Sequence, residues 1–365
     1  MKYRLVAVLL ALIAVVAGAQ SDQWEFRFGP RFWGATVAGR YMLEPPAEGG
    51  VETSFTGLLS SAYESKGYYR NPDGSFYSGD DSLVSYNRFD LLWQLGLQQG
   101  ILPRADTSDD AAVAFILYRG RYDLPFDQTG QLFFQSGLPA ADDSLAGSIV
   151  GGLAYRVVQT QETTRVSRGI EAELAIEWGP AFLHNQLLSD ADYSRTTLSA
   201  RGYLPLYELA PEDGMNRFSA YLAGFGVVDW ATGPVIPLGV RSTTGGRSLR
   251  SAPGGSVRGY ASGRFDATFK AIANVEVRAN LPSIAIPEIV PGLVVYTDGG
   301  YYLDEDSWSP EPTENQGFLL SSGAGFYLDL FRIAEVVLYT NYLSIDTDVA
   351  GASWVPFSLG FGFHY

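Results

Sequence analysis

The sequence predicts an all-β protein, a transmembrane antiparallel β-barrel, and three observations lead to that prediction. The stretch from Phe265 to Leu281 alternates almost perfectly between apolar and polar residues. The final residues, 355–365, alternate in the same way and end in an aromatic residue. After Ala19, no stretch is apolar enough to form a membrane-spanning helix.

The stretch 265–281 is the most informative of the three. Successive side chains of a strand point to opposite faces, so a period of two produces one apolar and one polar face. Strands in soluble sandwiches have about five or six residues, and a longer strand with charges on one face is typical of a barrel wall between lipid and a polar lumen. The outward positions are Phe265, Ala267, Phe269, Ala271, Ala273, Val275, Val277, Ala279 and Leu281; the inward positions include Asp266, Thr268, Lys270, Asn274, Glu276, Arg278 and Asn280.

The first residues, 1–19, read as a cleaved signal peptide. Lys2 and Arg4 precede the apolar run 5–16, and Ala17-Gly18-Ala19 matches a cleavage site. The run is shorter than the roughly 20 residues that a spanning helix needs. We therefore expect export and a barrel domain over 20–365. The absence of cysteine excludes disulfides, thiolate metal sites and a lipid-modified N-terminal cysteine.

The net charge of −15 is concentrated in turn-like segments such as Asp80-Asp81 and Asp304-Glu305-Asp306. An acidic surface argues against nucleic acid as a partner, because a phosphate backbone calls for basic residues. No segment has the ligand spacing of a calcium-binding loop. We expect neither a metal nor another cofactor.

The C-terminal strand places Phe361, Phe363 and Tyr365 outward, as expected for a strand that meets lipid and ends in an aromatic girdle. With Tyr365 on the periplasmic side, long acidic loops fall outside the cell and short turns inside. Fourteen strands are readable, and 24–44 and 171–188 can each contain a turn, at Gly29-Pro30 and Gly179-Pro180, so sixteen is equally compatible. The predicted strands are 24–44, 51–69, 84–98, 110–121, 129–136, 148–159, 171–188, 195–206, 216–230, 264–281, 291–302, 317–329, 334–344 and 355–365.

The segment 231–263 differs from the other connections because it is the longest and the most basic. It contains three prolines and the arginines Arg241, Arg247, Arg250 and Arg258. Long connections in compact folds are usually functional. Because the predicted lumen wall carries Asp266, Glu276 and Asp298, we expect this loop to fold back into the lumen.

Two motifs in this part of the chain resemble the outer-membrane barrel-assembly superfamily, also called the bacterial surface antigen family. Its members include the BamA and TamA type assembly factors and two-partner secretion transporters. The first motif is Val257-Arg258-Gly259-Tyr260, which resembles the tip of the family's sixth extracellular loop. The second is the strand motif 294–300, which contains Asp298 followed by two glycines.

The resemblance implies sixteen strands, a loop 6 folded into the lumen, and a pair between Arg258 and Asp298. Glu276 and Arg278 lie on the same face of one strand and can extend that pair into a network. The sequence departs from the family at two points. Strand-like sequence starts at about Trp24, which leaves no room for a periplasmic POTRA domain, and the last residue is Tyr365 rather than the usual Phe.

Two functions from different classes follow. The first is insertion or transport of client proteins at the outer membrane, with unfolded outer-membrane proteins, or a periplasmic partner that replaces POTRA domains, as partners besides lipid. The second is a plugged pore or structural barrel without assembly activity. We expect no enzymatic activity, because His184 and His364 are the only histidines and no Gly-x-Ser-x-Gly turn occurs. The pair Arg258–Asp298 either pins the loop or gates it.

Overall fold

The computed structural model describes most of the chain as one antiparallel sheet. The described residues are 24–31, 34–44, 51–67, 85–103, 110–126, 145–183, 185, 190–241, 243, 245–247, 253–254, 256–260, 267–303, 316–331, 334–344 and 355–363. The strands are β1 Trp24–Arg31, β2 Gly34–Glu44, β3 Thr53–Gly67, β4 Ser85–Pro103, β5 Asp110–Phe126, β6 Leu145–Arg156, β7 Gln159–Thr160, β8 Ser167–Gly179, β9 Asp192–Glu208, β10 Ser219–Val235, β11 Phe269–Asn280, β12 Ile289–Leu303, β13 Gln316–Leu330, β14 Ala334–Ser344 and β15 Phe357–Phe363.

Each strand pairs with the next along the chain, except that the two-residue β7 pairs only with β8 and β6 pairs directly with β8. Within the described residues, β1 and β15 do not pair with each other, so the sheet is a curled wall with one seam. A single helical turn, α1 (Leu238–Arg241), follows β10. In this part of the chain no helix has the length and apolar character needed to cross a membrane.

The alternation predicted for 265–281 is present in β11. Lys270, Asn274, Glu276 and Arg278 are buried and face the lumen, whereas Val275 is 51% exposed on the outer face. The same alternation continues in β12, where Val294, Tyr296 and Asp298 face inward. The predicted fold class, an all-β barrel wall with a polar inner face, is therefore confirmed.

The path through the sheet has fourteen strands, the number readable from the sequence, but it is divided differently. The predicted strand 24–44 is two strands, separated at residues 32–33 rather than at Gly29-Pro30, which pairs with β2 inside β1. The predicted strand 129–136 lies outside the described residues, and β5 pairs directly with β6. Strand 171–188 ends at Gly179, before Pro180.

Among the described residues, nine strands of the path precede the lumen loop and five follow it. A sixteen-stranded barrel with this connection as loop 6 would have eleven before it and five after it. Within the described residues, the shortfall of two strands therefore lies before the loop, which is the fifth connection counted on its rim rather than the sixth.

The bounds of the basic loop also differ from the predicted 231–263. β10 continues to Val235, where its last residues pair with β9. β11 begins only at Phe269, because Ala267 and Thr268 are both buried and so break the alternation. The N–H of Ala267 donates to the carbonyl of Arg241, which ties this end of the loop to α1. We call the connection 236–268 the lumen loop.

The two ends of the barrel wall are distinguished by their connections. The lumen loop and the connections 68–84, 127–144 and 304–315 share one end, which we call the loop rim. The connections 157–166, 209–218, 281–288 and 331–333 share the other, which we call the turn rim. Apart from the two-residue link between β1 and β2, which lies on the loop rim, the longer connections share that rim, as predicted from the sequence.

Candidate functional site

The loop tip, residues Val257–Tyr260, lies inside the lumen against β11, β12 and β13. Val257 is buried in an apolar cluster with Phe225, Ile272 and Leu319. The Tyr260 hydroxyl donates to the carbonyl of Leu320 at 3.1 Å. Gly259 has a φ of 89°, a conformation that residues with a Cβ rarely adopt. The glycine therefore permits the bend that aims Arg258 at the wall.

Arg258 is the centre of the site because all three nitrogens of its guanidinium donate to carboxylates. Nε donates to Asp298 Oδ2 at 2.7 Å and Nη2 to Asp298 Oδ1 at 2.7 Å. Nη1 donates to Glu276 Oε2 at 2.7 Å. The backbone N–H of Arg258 also donates to Asp298, at 2.9 Å. The structure thus brings together the two residues whose pairing the resemblance implied, in the bidentate geometry that arginine favours.

Two tyrosines complete the surroundings of the guanidinium. Arg258 Cζ lies 3.7 Å from the ring centroid of Tyr296 and 5.1 Å from that of Tyr339. A cation over an aromatic face is stabilised by the ring quadrupole. Burial on its own would lower the pKa of the guanidinium, but the hydrogen bonds and charges of Asp298 and Glu276 outweigh burial and raise that pKa. Arg258 therefore stays charged at every working pH.

Glu276 and Arg278 extend the network toward the turn rim. Arg278 Nε donates to Glu276 Oε1 at 2.6 Å, and Arg278 Nη1 donates to Glu335 Oε2 of β14 at 2.5 Å. Arg258, Glu276, Arg278 and Glu335 form a chain of alternating charge across β11 and β14. Each charge has a partner, which offsets the cost of taking it out of water.

A second set of contacts holds the stem of the lumen loop near the loop rim. Lys270 Nζ donates to the carbonyls of Val240, Arg241 and Thr243, at 2.8, 2.9 and 2.7 Å. The last carbonyls of a helical turn lack backbone partners, and a cation is favourable there. Lys270 also lies 3.6 Å from Asp229, so the stem is joined to β10 and β11 together.

A third contact joins the lumen loop to β8. Arg247 Nη2 donates to Glu173 Oε1 of β8 at 2.7 Å, and its Cζ lies 5.4 Å from the ring centroid of Phe115 on β5. The lumen loop is therefore held to the inner face of the wall at β8 as well as at β10, β11 and β12. Beside this contact lies a cavity of about 390 Å³. Its polar lining includes Arg40, Thr56, Gln94, Gln98, Asp110 and Glu173.

Some participants were not predicted from the sequence. Asp229 accepts hydrogen bonds from Arg195 at 2.7 and 2.9 Å, and Glu335 and Tyr339 belong to the tip network. Their only sequence signal is an inward position in an alternating strand, which predicts polarity but not a partner.

Other predicted residues have different outcomes. Phe361 and Phe363 lie in β15, which pairs with β14. Tyr365, His184, His364, Asp266 and Arg250 lie outside the described residues. Across the described part of the chain, no group of three or more His, Cys, Asp or Glu side chains is arranged to hold a metal ion.

Comparisons with known proteins give a likeness of fold. No family model matches the sequence, and no curated protein sequence matches it significantly. Among solved structures, CdiB from Escherichia coli superimposes with a TM-score of 0.52 at 14% identity, over 90% of this chain and 52% of that chain. BamA from Haemophilus ducreyi lacking POTRA domains 1–3 superimposes with a TM-score of 0.49 at 14% identity, over 91% of this chain and 62% of that chain.

At this identity the likeness to CdiB shows the fold alone. The chain therefore has the barrel fold of CdiB. The chain spans 52% of the length of CdiB and 62% of that BamA chain.

Proposed function

We propose that this chain is an outer-membrane barrel that inserts client proteins into that membrane or transports them across it. One observation carries the proposal: within the described residues, the first and last strands, β1 and β15, each have an unpaired edge. These are also the shortest strands of the path, Trp24–Arg31 and Phe357–Phe363. The shared fold with CdiB supports this proposal.

The mechanism rests on backbone chemistry. An unpaired strand edge presents N–H and C=O groups that another chain can complete by adding a strand. Gly360 and Gly362 weaken the packing of β15, since strand glycines add no side-chain contacts. A client strand adds to the exposed edge at the seam and leaves when its own barrel closes. No catalytic step is assigned to any side chain.

Partners and location follow from this mechanism. The outer face, with residues such as Leu59, Val275 and Val295 more than half exposed, suits the lipid of an outer membrane. The loop rim then faces the cell exterior and the turn rim the periplasm. The clients are unfolded outer-membrane proteins, delivered from the periplasm by a separate partner if this chain carries no POTRA domain.

A plugged barrel without assembly activity is the second candidate. The three anchors of the lumen loop, Arg258, Lys270 and Arg247, favour it because a loop tied to β12, β11 and β8 inside the lumen obstructs passage. In a plugged barrel, the Arg258–Asp298 pair holds the loop permanently. In an assembly barrel, the same pair holds the loop in a resting state, and client binding breaks the pair.

The deciding experiment times the insertion of an unfolded outer-membrane protein into liposomes with and without this barrel. We expect faster insertion with the barrel than with an unrelated barrel, and loss of the acceleration in Arg258→Ala. Arg217→Ala is the matched control, because Arg217 is half exposed on a turn and pairs only loosely with Glu212, at 3.5 Å. No acceleration by the unaltered barrel contradicts the assembly function and favours the plugged barrel.

A further inference from the structure

The connection between β7 and β8, residues 161–166, folds into the barrel instead of outward. We call it the inner turn. Its last three residues are almost fully buried: Thr164 is 1% exposed, Arg165 7% and Val166 2%. Turns at the rim of a barrel ordinarily lie in solvent, because their backbone groups need water as a partner. Here the partners come from the inner face of the wall.

Thr164 makes polar contacts to three neighbouring strands. Its carbonyl accepts from Ser219 Oγ of β10 at 2.6 Å and from Asn280 Nδ2 of β11 at 2.9 Å. Its hydroxyl donates to Glu208 Oε2 of β9 at 2.9 Å. The backbone of the inner turn is therefore tied to residues that stand at the turn rim on β9, β10 and β11.

Arg165 carries the inner turn further across the opening. Its Nη2 donates to the carbonyl of Pro287, between β11 and β12, at 3.5 Å, and its Nε lies 3.8 Å from Asp329 Oδ2 of β13. Its φ is 58°, a left-handed conformation that is strained for a residue with a Cβ and persists only where surrounding contacts demand it. These contacts span the distance from β8 to β13.

Val166 closes the remaining gap with apolar contact. It packs against Tyr221 and Ala223, which face the lumen from β10, with Tyr203 of β9 beside them. Ala223, a member of this cluster, is 0% exposed. The seal is thus apolar at its centre and hydrogen-bonded at its edges.

A glycine permits this inward fold. Gly169 of β8 has a φ of 109°, and a Cβ placed on it would lie 2.0 Å from the carbonyl oxygen of Val157. The N–H of Val157 donates to the carbonyl of Ile170 at 2.9 Å. The chain leaving β6 therefore lies directly on β8, and the short hairpin of β7 and β8 bends over the opening.

The inner turn lies on the same face of β11 as the loop tip. Glu276, Arg278 and Asn280 are successive inward residues of β11; the first contacts Arg258 and the last contacts Thr164. The Tyr327 hydroxyl also donates to Asn280. The half of the lumen walled by β9–β13 is thus occupied from the loop rim by the tip and from the turn rim by the inner turn.

The other half is different. The cavity of about 390 Å³ is lined by residues of β2–β6 and β8 together with Arg247, and none of its lining residues belongs to the inner turn. Gln94 and Gln98 of β4 are among the residues that line it. Among the described residues, the β9–β13 half is occupied from both rims and the β2–β6 half keeps a cavity.

We propose that the inner turn is a second closure of the lumen, built on the turn rim and separate from the lumen loop. It seals the half beneath the Arg258 network and leaves the cavity of β2–β6 as the part of the lumen that small polar molecules enter. Release of the loop tip alone therefore leaves the β9–β13 half closed.

The test uses single cysteines, since the chain has none of its own. Ala223→Cys reports on the space under Val166, and Gln94→Cys reports on the cavity. The probe is a methanethiosulfonate reagent with a sulfonate group, applied to the folded full-length barrel in detergent. We expect Gln94→Cys to react readily and Ala223→Cys to react slowly.

The inner turn is then replaced by Asn-Gly, which joins Thr160 to Ser167. These residues already pair in the hairpin, and Asn-Gly is the preferred two-residue hairpin turn. We expect the reaction at Ala223→Cys to accelerate by about tenfold or more, equivalent to about 1.4 kcal/mol, with the rate at Gln94→Cys unchanged. Arg217→Ala, on the exposed neighbouring turn, is the matched control and should change neither rate.

Arg165→Gly provides a milder variant if the replacement does not fold. Glycine tolerates the positive φ and removes the side-chain contacts to Pro287, Asp329 and the carbonyl of Glu162 while keeping the turn, so a smaller acceleration at Ala223→Cys is expected. Two results would overturn the proposal. One is an equal rate of cysteine modification for Ala223→Cys and Gln94→Cys in the barrel with its natural inner turn. The other is an Ala223→Cys rate that stays unchanged in both turn variants. These rates do not depend on client insertion, so they separate this proposal from the proposed function.

Discussion

Arg258 joins the lumen loop to two strands through one side chain. Its guanidinium meets Asp298 of β12 and Glu276 of β11 and lies over the ring of Tyr296. The side chain is 8% exposed, and the two carboxylates are fully buried. Removing the cation leaves Asp298 buried without its guanidinium partner, while Glu276 keeps Arg278. That uncompensated charge, more than the lost attraction, determines the effect of a substitution.

Arg258→Ala is expected to lower the free energy of unfolding by about 3–5 kcal/mol, the range for a buried charge left without its partner. Arg258→Lys should recover only part of this, because an ammonium does not reproduce the bidentate contact to Asp298. Urea unfolding in detergent, followed by tryptophan fluorescence, measures both. Arg217→Ala is the control, expected within about 0.5 kcal/mol of the unaltered protein. An Arg258→Ala barrel as stable as that control contradicts the assignment.

Gly259→Ala tests the bend of the loop tip. With a φ of 89°, an alanine there is expected to cost about 1–2 kcal/mol. Gly299→Ala is the matched control: Gly299 follows Asp298 in the wall, and an added Cβ would meet nothing within 4 Å. The same urea titration compares the two. If the control destabilises as much as Gly259→Ala, backbone strain is not what the glycine relieves.

At the scale of the element, β11 and β12 show how a short repeat builds a two-sided wall. Residues of even number on both strands face the lumen and carry its charges, and residues such as Val275 and Val295 face outward. The register pairs Asn274 with Asp298 and Glu276 with Tyr296, so the inward residues of the two strands lie side by side. A charged residue placed at an outward position of these strands is therefore exposed to lipid.

Val275→Arg is expected to destabilise the barrel in lipid by about 2–4 kcal/mol, because it places a charge on the outer face near the middle of the strand. Ile284→Arg is the depth control, since Ile284 is exposed on the turn rim, where the cost falls to about 0–1 kcal/mol. Urea unfolding in lipid vesicles measures the difference. Equal costs at the two depths contradict the placement of β11 across the membrane.

At the scale of the molecule, the lumen is filled from both ends and the wall has one seam. The lumen loop contacts β8 through Arg247 and β12 through Arg258, and the inner turn reaches β13 through Arg165. Filling on both rims stabilises a wall whose first and last strands are unpaired within the described residues. Opening the molecule then requires movement of more than one part.

Deletion of residues 240–262 is expected to raise the single-channel conductance in planar lipid bilayers sharply, because it removes the tip and Arg247 together. The route that opens is the cavity beside β2–β6. Combining the deletion with the Asn-Gly replacement of the inner turn should raise the conductance further, by opening the second half. Unchanged conductance after the loop deletion contradicts a lumen filled by this segment.

The alternation of apolar and polar residues predicted the strands of the wall better than it predicted the segments that fill the lumen. The alternation in β11 and β12 predicted every inward charge there, since pleating alone sets the face of each residue. Boundaries were less predictable. The break between β1 and β2 lies at 32–33, because Gly29 and Pro30 pair with Thr36 and Ala35 and thus continue β1. A glycine-proline pair is a turn signal, but here both residues are paired with a neighbouring strand, so the strand continues through them.

The residues of the site also fall into those that the sequence predicted and those that it did not. The tip residues Val257–Tyr260 and their partner Asp298 were predicted through their motifs, whereas Glu335, Asp229 and the inner turn were not. The inner turn is composed of ordinary polar residues, and its burial depends on Ser219, Asn280 and Asp329, which lie far away in the sequence. No local pattern records such contacts.

The sequence by itself determined that this chain forms a barrel wall with an apolar outer face, a charged inner face and a basic loop that contains the tip motif. These are local properties, because the direction of a side chain depends only on its place along its own strand. The tertiary structure alone decided how the lumen is filled, by joining Arg247 to Glu173, Lys270 to α1 and Arg165 to Asp329. Those contacts arise only when the curled sheet brings distant segments to one interior, where each buried charge must find a partner.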